Sequence, residues 1–222
     1  ICNKNINWTF QKTKSNKSLE DSLMGMDVYG NDPKIEKSMS EFPIYAKYED
    51  MPWGEREKSK QWEKDKDKFH EEYQAYEDSN PGVYFRNNCW WWRPLWDYCK
   101  WISDHYDLDL IDIELHDSGH NNDGKGLDAK GSVKLAFYIT LSIETGICKK
   151  YAEERQQYLD NLERETCTYC NNNNRGHRKK KNCNLCEGIG TRKHFSTKYP
   201  FDIDNVKSFV LFLEHSGGFS IH

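Results

Sequence analysis

The chain has 222 residues, of which 31% are charged, and its formal net charge at pH 7 is −4. This length is enough for one domain with a substantial core, and the mildly acidic balance excludes a protein that coats nucleic acid through its overall charge. The sequence contains neither an apolar run of membrane-spanning length nor a signal-peptide layout at its start. We therefore expect a cytoplasmic protein with no membrane partner.

The first half of the chain is predicted to contain an arm followed by a helical body. Residues 1–23 are polar and rich in lysine, asparagine and serine, which is typical of a flexible arm. The body is predicted for 24–165 and opens with an apolar run at 24–30, where bracketing glycines indicate a strand or a tight turn. Further on, residues 54–77 mix basic and acidic residues and carry aromatic residues at helical spacing. This pattern predicts a helix that has one aromatic stripe and one solvated charged face.

The aromatic stripe of 54–77 has two interpretations. Packing within the fold is the favoured one, because such stripes usually face a core. The alternative is a contact helix, in which case the protein would be a structural component of a larger assembly.

The segment 84–99 is the most unusual, because it contains three consecutive tryptophans. Pro94 suits the first turn of a helix, which we predict to extend to about His105. Apolar residues at helical spacing predict its inward face: Leu95, Tyr98, Cys99 and Ile102. Three adjacent side chains cannot all point inward, so at least one tryptophan is expected near the surface or in a cavity.

The tryptophan cluster is flanked by arginines, and arginine beside an indole suits both packing and ligand recognition. An aromatic core whose arginines reach water is the favoured interpretation. The alternative is an enzyme or sensor that binds a small nucleotide-like ligand, with nearby histidines as acid–base groups. The candidate ligand-binding residues are Arg86, Trp90, Trp92, Arg93, His116 and His120.

Alternating apolar and acidic residues predict a short strand at 107–115. The polar loop that follows contains His116, Asp117 and His120, which offer ligands for a second metal ion. An ordinary turn capped by Asn and Asp side chains is the favoured interpretation of this loop.

The apolar segment at 133–143 alternates strictly, which is a strand pattern, but the uninterrupted stretch 128–146 has the length of a helix. The pattern alone leaves helix and strand open, and Asp128 offers a helix N-cap. A helix is predicted for 149–165. In the C-terminal segment, 195–222, apolar residues at helical spacing predict a helix that packs back on the body and ends before Gly217: Val206, Phe209, Val210 and Leu213.

Two Cys-x-x-Cys pairs lie within residues 166–194 and predict a metal centre. Four thiolates at this spacing complete a tetrahedral Zn²⁺ site, and they leave the ion no open position for water or substrate. We therefore expect a structural zinc module. Its predicted ligands are Cys167, Cys170, Cys183 and Cys186.

The other cysteines show no paired spacing, and free thiols beside a zinc site favour a reducing compartment. They are Cys2, Cys89, Cys99 and Cys148.

A basic run lies between the two cysteine pairs of an otherwise acidic protein. A cluster of positive charge on a rigid turn predicts contact with a nucleic acid or with an acidic protein partner. The alternative is a solvated loop tip, since no aromatic residue that would stack on a base interrupts the run. The candidate residues are Arg175, Arg178, Lys179, Lys180 and Lys181.

The second cysteine pair continues as Cys-x-x-Cys-x-Gly-x-Gly, with Gly188 and Gly190, and so resembles the zinc-binding repeat of DnaJ-type chaperones. Glycine lets the backbone turn under the metal with its amides aimed at sulfur. The first pair has Asn172 and Asn174 at the matching positions, and asparagine also tolerates the left-handed conformation. The chain lacks the His-Pro-Asp signature of a J-domain.

The order of motifs resembles a family of uncharacterised proteins from bacteriophages and bacteria. The resembling segments are 24–30, 84–98, 122–128, the two cysteine pairs and 199–219. The resemblance implies that 34–80 is a charged helical insertion and that 128–146 is a helix. It supplies no activity, because the family has none assigned. The predicted fold class is mainly α, or α+β with minor strands.

Overall fold

The computed structural model describes residues 25–169, 183 and 185–222, and this part of the chain is mainly helical with two small sheets, as predicted. The arm predicted at 1–23 lies outside the described residues. The strands are β1 (Gly25–Gly30), β2 (Tyr84–Asn88), β3 (Glu165–Thr166), β4 (Thr191–Arg192) and β5 (Phe219–Ile221). The helices are α1 (Pro43–Tyr48), α2 (Trp53–Arg56), α3 (Trp62–Ser79), α4 (Cys89–His105), α5 (Ile113–Ser118), α6 (Ala129–Glu144), α7 (Ile147–Asp160) and α8 (Ile203–His215), with 3₁₀ turns at Met39–Glu41 and Phe195–Lys198.

The larger sheet has β1 at its centre, paired antiparallel with β2 on one side and β5 on the other. Val28 of β1 is fully buried and lies opposite Phe85 and Ile221. Of the strand and the tight turn that the sequence left open at 24–30, the structure has the strand, at Gly25–Gly30. Strand β5 was not predicted, because a three-residue strand is too short to show an alternating pattern.

The central helix of the body is α4, and its predicted inward face is confirmed, since all four of those residues are buried. The prediction that Pro94 begins this helix was wrong. Asn88 caps the helix earlier, with its side-chain oxygen accepting bonds from the amides of Trp90 at 3.0 Å and Trp91 at 3.1 Å. Pro94 therefore lies inside the helix, where its missing N–H removes a single backbone hydrogen bond.

The strand predicted at 107–115 was wrong. Asp107 and Asp109 have φ angles of 52° and 55°, a left-handed conformation that an extended strand does not contain. Asp112 then caps α5 by accepting a hydrogen bond from the amide of Leu115 at 2.7 Å.

The segment whose pattern left helix and strand open is helical and forms α6, with Asp128 as its N-cap. Its alternating apolar residues divide between the two faces of the helix. Leu135 and Ile139 are buried, whereas Val133 and Phe137 are exposed. The alternating apolar residues therefore belong to a helix and not to a strand.

A second, smaller aromatic core is built from α1 and α3, within the residues that the resemblance marks as an insertion. Helix α3 begins later than the predicted start at 54, because α2 forms a separate short turn before it. Glu72 of α3 joins the two helices, since its carboxylate accepts hydrogen bonds from the amides of Ile44 at 2.6 Å and Tyr45 at 3.0 Å. The buried members of this core are Phe42, Tyr45, Tyr48, Trp62, Phe69 and Tyr76.

Helix α8 packs on α6, and its apolar face belongs to the same core as α4. Within the described part of the chain, no helix combines the length and the apolar character that a membrane span requires.

Two leucines of α8 provide a matched test of this packing. Leu213 is fully buried and Leu211 is 48% exposed. We expect Leu213→Ala to lower the free energy of unfolding by about 2–5 kcal/mol through lost burial and the cavity left behind. Leu211→Ala should change it by less than about 0.5 kcal/mol. Urea denaturation of both variants measures the difference, and equal losses would contradict the described orientation of α8.

Candidate metal centres

Three of the four predicted zinc ligands come together in a buried cluster. Cys167, Cys183 and Cys186 place their thiol sulfurs within 4.8 Å of one another, and none of the three forms a disulfide. The Cys167 and Cys183 sulfurs are 3.8 Å apart. Zinc–sulfur bonds of about 2.3 Å in a tetrahedron separate two sulfurs by about 3.8 Å, so the spacing fits a shared metal ion. The fourth predicted ligand, Cys170, lies outside the described residues.

The turn after Cys186 has the geometry expected of a zinc knuckle. Glu187, Gly188 and Gly190 have φ angles of 51°, 86° and 84°. The amide of Gly190 consequently points back and donates to the Cys186 sulfur at 3.4 Å. The expected purpose of the glycines, a backbone that turns and aims an amide at sulfur, is confirmed at this pair.

The small sheet of β3 and β4 holds Cys167 close to the turn that follows Cys186. Directly beyond it, the Cys167 amide donates to the carbonyl oxygen of Gly190 at 2.9 Å. Glu165 on β3 also pairs with Arg192 at 3.2 Å and with His194 at 3.4 Å. The residues just before Cys167 and just after Gly190 are therefore hydrogen-bonded to each other.

The basic residues predicted to contact a nucleic acid or an acidic partner lie outside the described residues, and that contact stays a prediction. They are Arg175, Arg178, Lys179, Lys180 and Lys181.

The candidate ligand-binding residues around the tryptophans make their contacts in separate places. Arg86 is exposed on β2, with its Nε 3.7 Å from an Asp27 carboxylate oxygen. Arg93 donates to the hydroxyl of Tyr199 at 2.8 Å, and Trp90 packs on the same tyrosine ring.

Trp92, by contrast, has no exposed surface and stacks on Trp96 with ring centroids 5.5 Å apart. A nucleotide-like ligand at these residues stays a prediction.

The two candidate histidines do come together, and they do so around a residue that the sequence did not single out. Oδ1 of Asp97, on α4, lies 3.1 Å from Nε2 of His116 and 3.2 Å from Nε2 of His120. The two Nε2 atoms are 3.3 Å apart. Asp117, which the sequence offered as a ligand, instead lies 3.9 Å from Nδ1 of His116, on the other side of that ring. The available signal for Asp97 was its position in sequence, as a charged residue inside the otherwise apolar run 94–99.

Two buried indoles position residues 116–120, the histidine loop, relative to Asp97. Nε1 of Trp92 donates to the carbonyl oxygen of Gly119 at 2.7 Å, and Nε1 of Trp96 donates to that of His116 at 3.1 Å. Because both tryptophans and Asp97 belong to α4, the helix fixes all three groups at once. Hydrogen bonds from these two tryptophans thus hold the histidine loop in position.

The Asp97 carboxyl group is ionised at neutral pH. Burial by itself would raise its pKa, but the hydrogen bonds from His116 and His120 outweigh burial and hold the pKa well below its ordinary value. The positive charge of the buried Arg155 acts in the same direction.

The thiols of Cys99 and Cys148 belong to the core. Burial raises the pKa of both thiols, so neither is a thiolate near neutral pH. These cysteines therefore have neither the exposure nor the ionisation that a nucleophile needs.

No known family model, curated protein or solved structure matches the chain. Any function must therefore be argued from the two side-chain clusters themselves.

Gly119 offers a test of how tightly the histidine loop packs on α4. A Cβ atom added to Gly119 would lie 2.3 Å from Nε1 of Trp96, whereas one added to Gly54 of α2 meets nothing within 4 Å. We expect Gly119→Ala to cost about 1–3 kcal/mol of unfolding free energy, since the buried indole must move. Gly54→Ala should be neutral or slightly stabilising, because alanine favours a helix. Chemical denaturation compares the two, and a Gly119→Ala protein as stable as the wild type would contradict the close approach.

Proposed function

We propose that the chain is a zinc protein whose C-terminal module, residues 166–194, binds one structural Zn²⁺ and presents its basic loop to a nucleic acid. The proposed ligands are Cys167, Cys170, Cys183 and Cys186. The observation that carries the metal assignment is the 3.8 Å separation of the Cys167 and Cys183 sulfurs, without a disulfide, beside the sulfur of Cys186, which lies within 4.8 Å of both.

A metal ion also explains how so small a module holds its shape. Among the described residues, its buried apolar cluster consists of three cysteines alone. Where the described residues of a segment show no larger core, the segment needs another source of folding free energy, and a four-thiolate zinc ion would supply it. Since such an ion has no open position, its purpose is structural and the function lies in the surface that it supports.

Cysteine substitutions test the zinc assignment. We expect Cys167→Ser, Cys183→Ser and Cys186→Ser each to lose one zinc ion per chain relative to the wild type, because a tetrahedral thiolate site does not persist with three ligands and a hydroxyl. Elemental analysis of the purified proteins measures this. Cys148→Ser is the matched control, since Cys148 is buried in the body and outside the cluster. Unchanged zinc content in the cluster variants would overturn the assignment.

The nucleic-acid part of the proposal is supported by charge. Three lysines and two arginines lie between positions 175 and 181 of a chain whose net charge is −4. Phosphate groups attract such a concentration of charge even when the whole protein is acidic.

Salt dependence tests this binding. We expect the affinity for a fluorescent oligonucleotide to fall as salt rises, with a logarithmic slope of about −0.9 for each duplex phosphate contacted, or about −0.7 for a single strand. Replacing the five basic residues by glutamine should flatten the slope, as measured by fluorescence anisotropy.

The matched control replaces two exposed lysines of α7, Lys149→Gln and Lys150→Gln, and should retain the slope. Binding that is absent or independent of salt would overturn the nucleic-acid proposal and direct attention to an acidic protein partner.

A further inference from the structure

Three potential metal-ligand atoms converge outside the zinc module. Oδ1 of Asp97 and the Nε2 atoms of His116 and His120 form a triangle with sides of 3.1, 3.2 and 3.3 Å. For metal–ligand bonds of about 2.0–2.1 Å, neighbouring ligands are about 3.0 Å apart in an octahedron and about 3.3 Å apart in a tetrahedron. The triangle therefore has the dimensions of one face of a metal's coordination sphere.

The same triangle suits two occupants, protons or a cation. With a proton on each Nε2, both imidazoles donate to Oδ1 of Asp97, which has lone pairs for two donors. With the protons on Nδ1 instead, both Nε2 atoms and the ionised carboxylate direct lone pairs at the centre of the triangle, which is the arrangement that a cation requires.

The scaffold around the triangle is rigid and brings the two imidazoles to one side. His116 and His120 are four residues apart across the last turn of α5 and the turn that continues it, with the His120 amide donating to the carbonyl oxygen of Asp117 at 3.2 Å. The buried indoles of Trp92 and Trp96 hold the same loop from α4. A preformed set of ligands loses little conformational freedom when a metal binds.

We propose that Asp97, His116 and His120 bind a divalent transition-metal ion at a second site, separate from the zinc module. Two imidazoles and a carboxylate suit ions of the Fe²⁺ to Zn²⁺ series, whereas Mg²⁺ and Ca²⁺ prefer ligand sets made of oxygen. Three protein ligands leave at least one coordination position open, and the three side chains keep 21–26% of their surface exposed. The ion at this site can therefore hold an exchangeable water or a small anion, which a four-thiolate zinc cannot.

Metal counting tests the site independently of the zinc module. The full chain is incubated with Zn²⁺, dialysed and analysed for bound metal. We expect Asp97→Asn, His116→Gln and His120→Gln each to bind one ion fewer than the wild type, with an affinity loss at this site of at least about 100-fold. Because the result is a difference between proteins that share the four module cysteines, it holds whether or not the module carries zinc.

Two controls exclude general effects of substitution. Asp104→Asn changes an exposed carboxylate on α4, and His222→Ala changes an exposed imidazole. Both should bind as much metal as the wild type. Added Zn²⁺ should also raise the melting temperature of the metal-stripped Asp104→Asn protein more than that of His120→Gln. Equal metal content and equal thermal shifts in all variants would overturn the proposal and leave a hydrogen-bonded cluster.

Cobalt distinguishes the two centres within one protein. We expect the wild type loaded with Co²⁺ to show thiolate-to-metal charge transfer from the cysteine site and, in addition, visible bands that His120→Gln lacks. Azide should change only those additional bands, since only this site has an open position. Additional bands that azide leaves unchanged would contradict the open coordination.

Discussion

Two buried indole N–H groups set the constraint on which the rest of the body depends. An unpartnered buried donor costs about 1–3 kcal/mol, so Trp92 and Trp96 can occupy the core only if an acceptor reaches each of them. The acceptors are the backbone carbonyls of Gly119 and His116. The packing of the core therefore depends on the position of the histidine loop. Glycine at 119 permits this close packing, because a side chain there would collide with the Trp96 indole.

The two proposed metal centres differ in ligand chemistry, and therefore in what a bound ion would do for the molecule. The cysteine cluster is buried and consists of soft thiol ligands, which suits an ion that takes the place of a hydrophobic core. The cluster of Asp97, His116 and His120 lies on a scaffold that is already packed, and its harder ligands are only partly buried. Zinc would stabilise the first region, whereas the second would retain its fold without metal.

The sequence predicted the features that depend on local spacing and missed those that depend on tertiary approach. Paired cysteines and the glycines after them specify a turn by themselves, so that geometry was predictable. Asp97 lies 19 residues before His116, and only the docking of α5 on α4 brings the two together. The pattern at 133–143 left helix and strand open for a related reason, because Phe137 and Val133 are apolar yet exposed on α6, and no local rule anticipates that.

The central strand of the larger sheet has a consequence for the time course of folding. Strand β1 is among the first described residues, yet its partner β5 is at 219–221, and the backbones of Asp27 and His222 extend that pairing with bonds of 2.9 and 2.7 Å. During synthesis one edge of β1 stays open until residues 219–221 have left the ribosome, and contacts so distant in sequence form slowly. The nascent chain therefore carries an unpaired strand edge, the kind of feature through which neighbouring chains can pair.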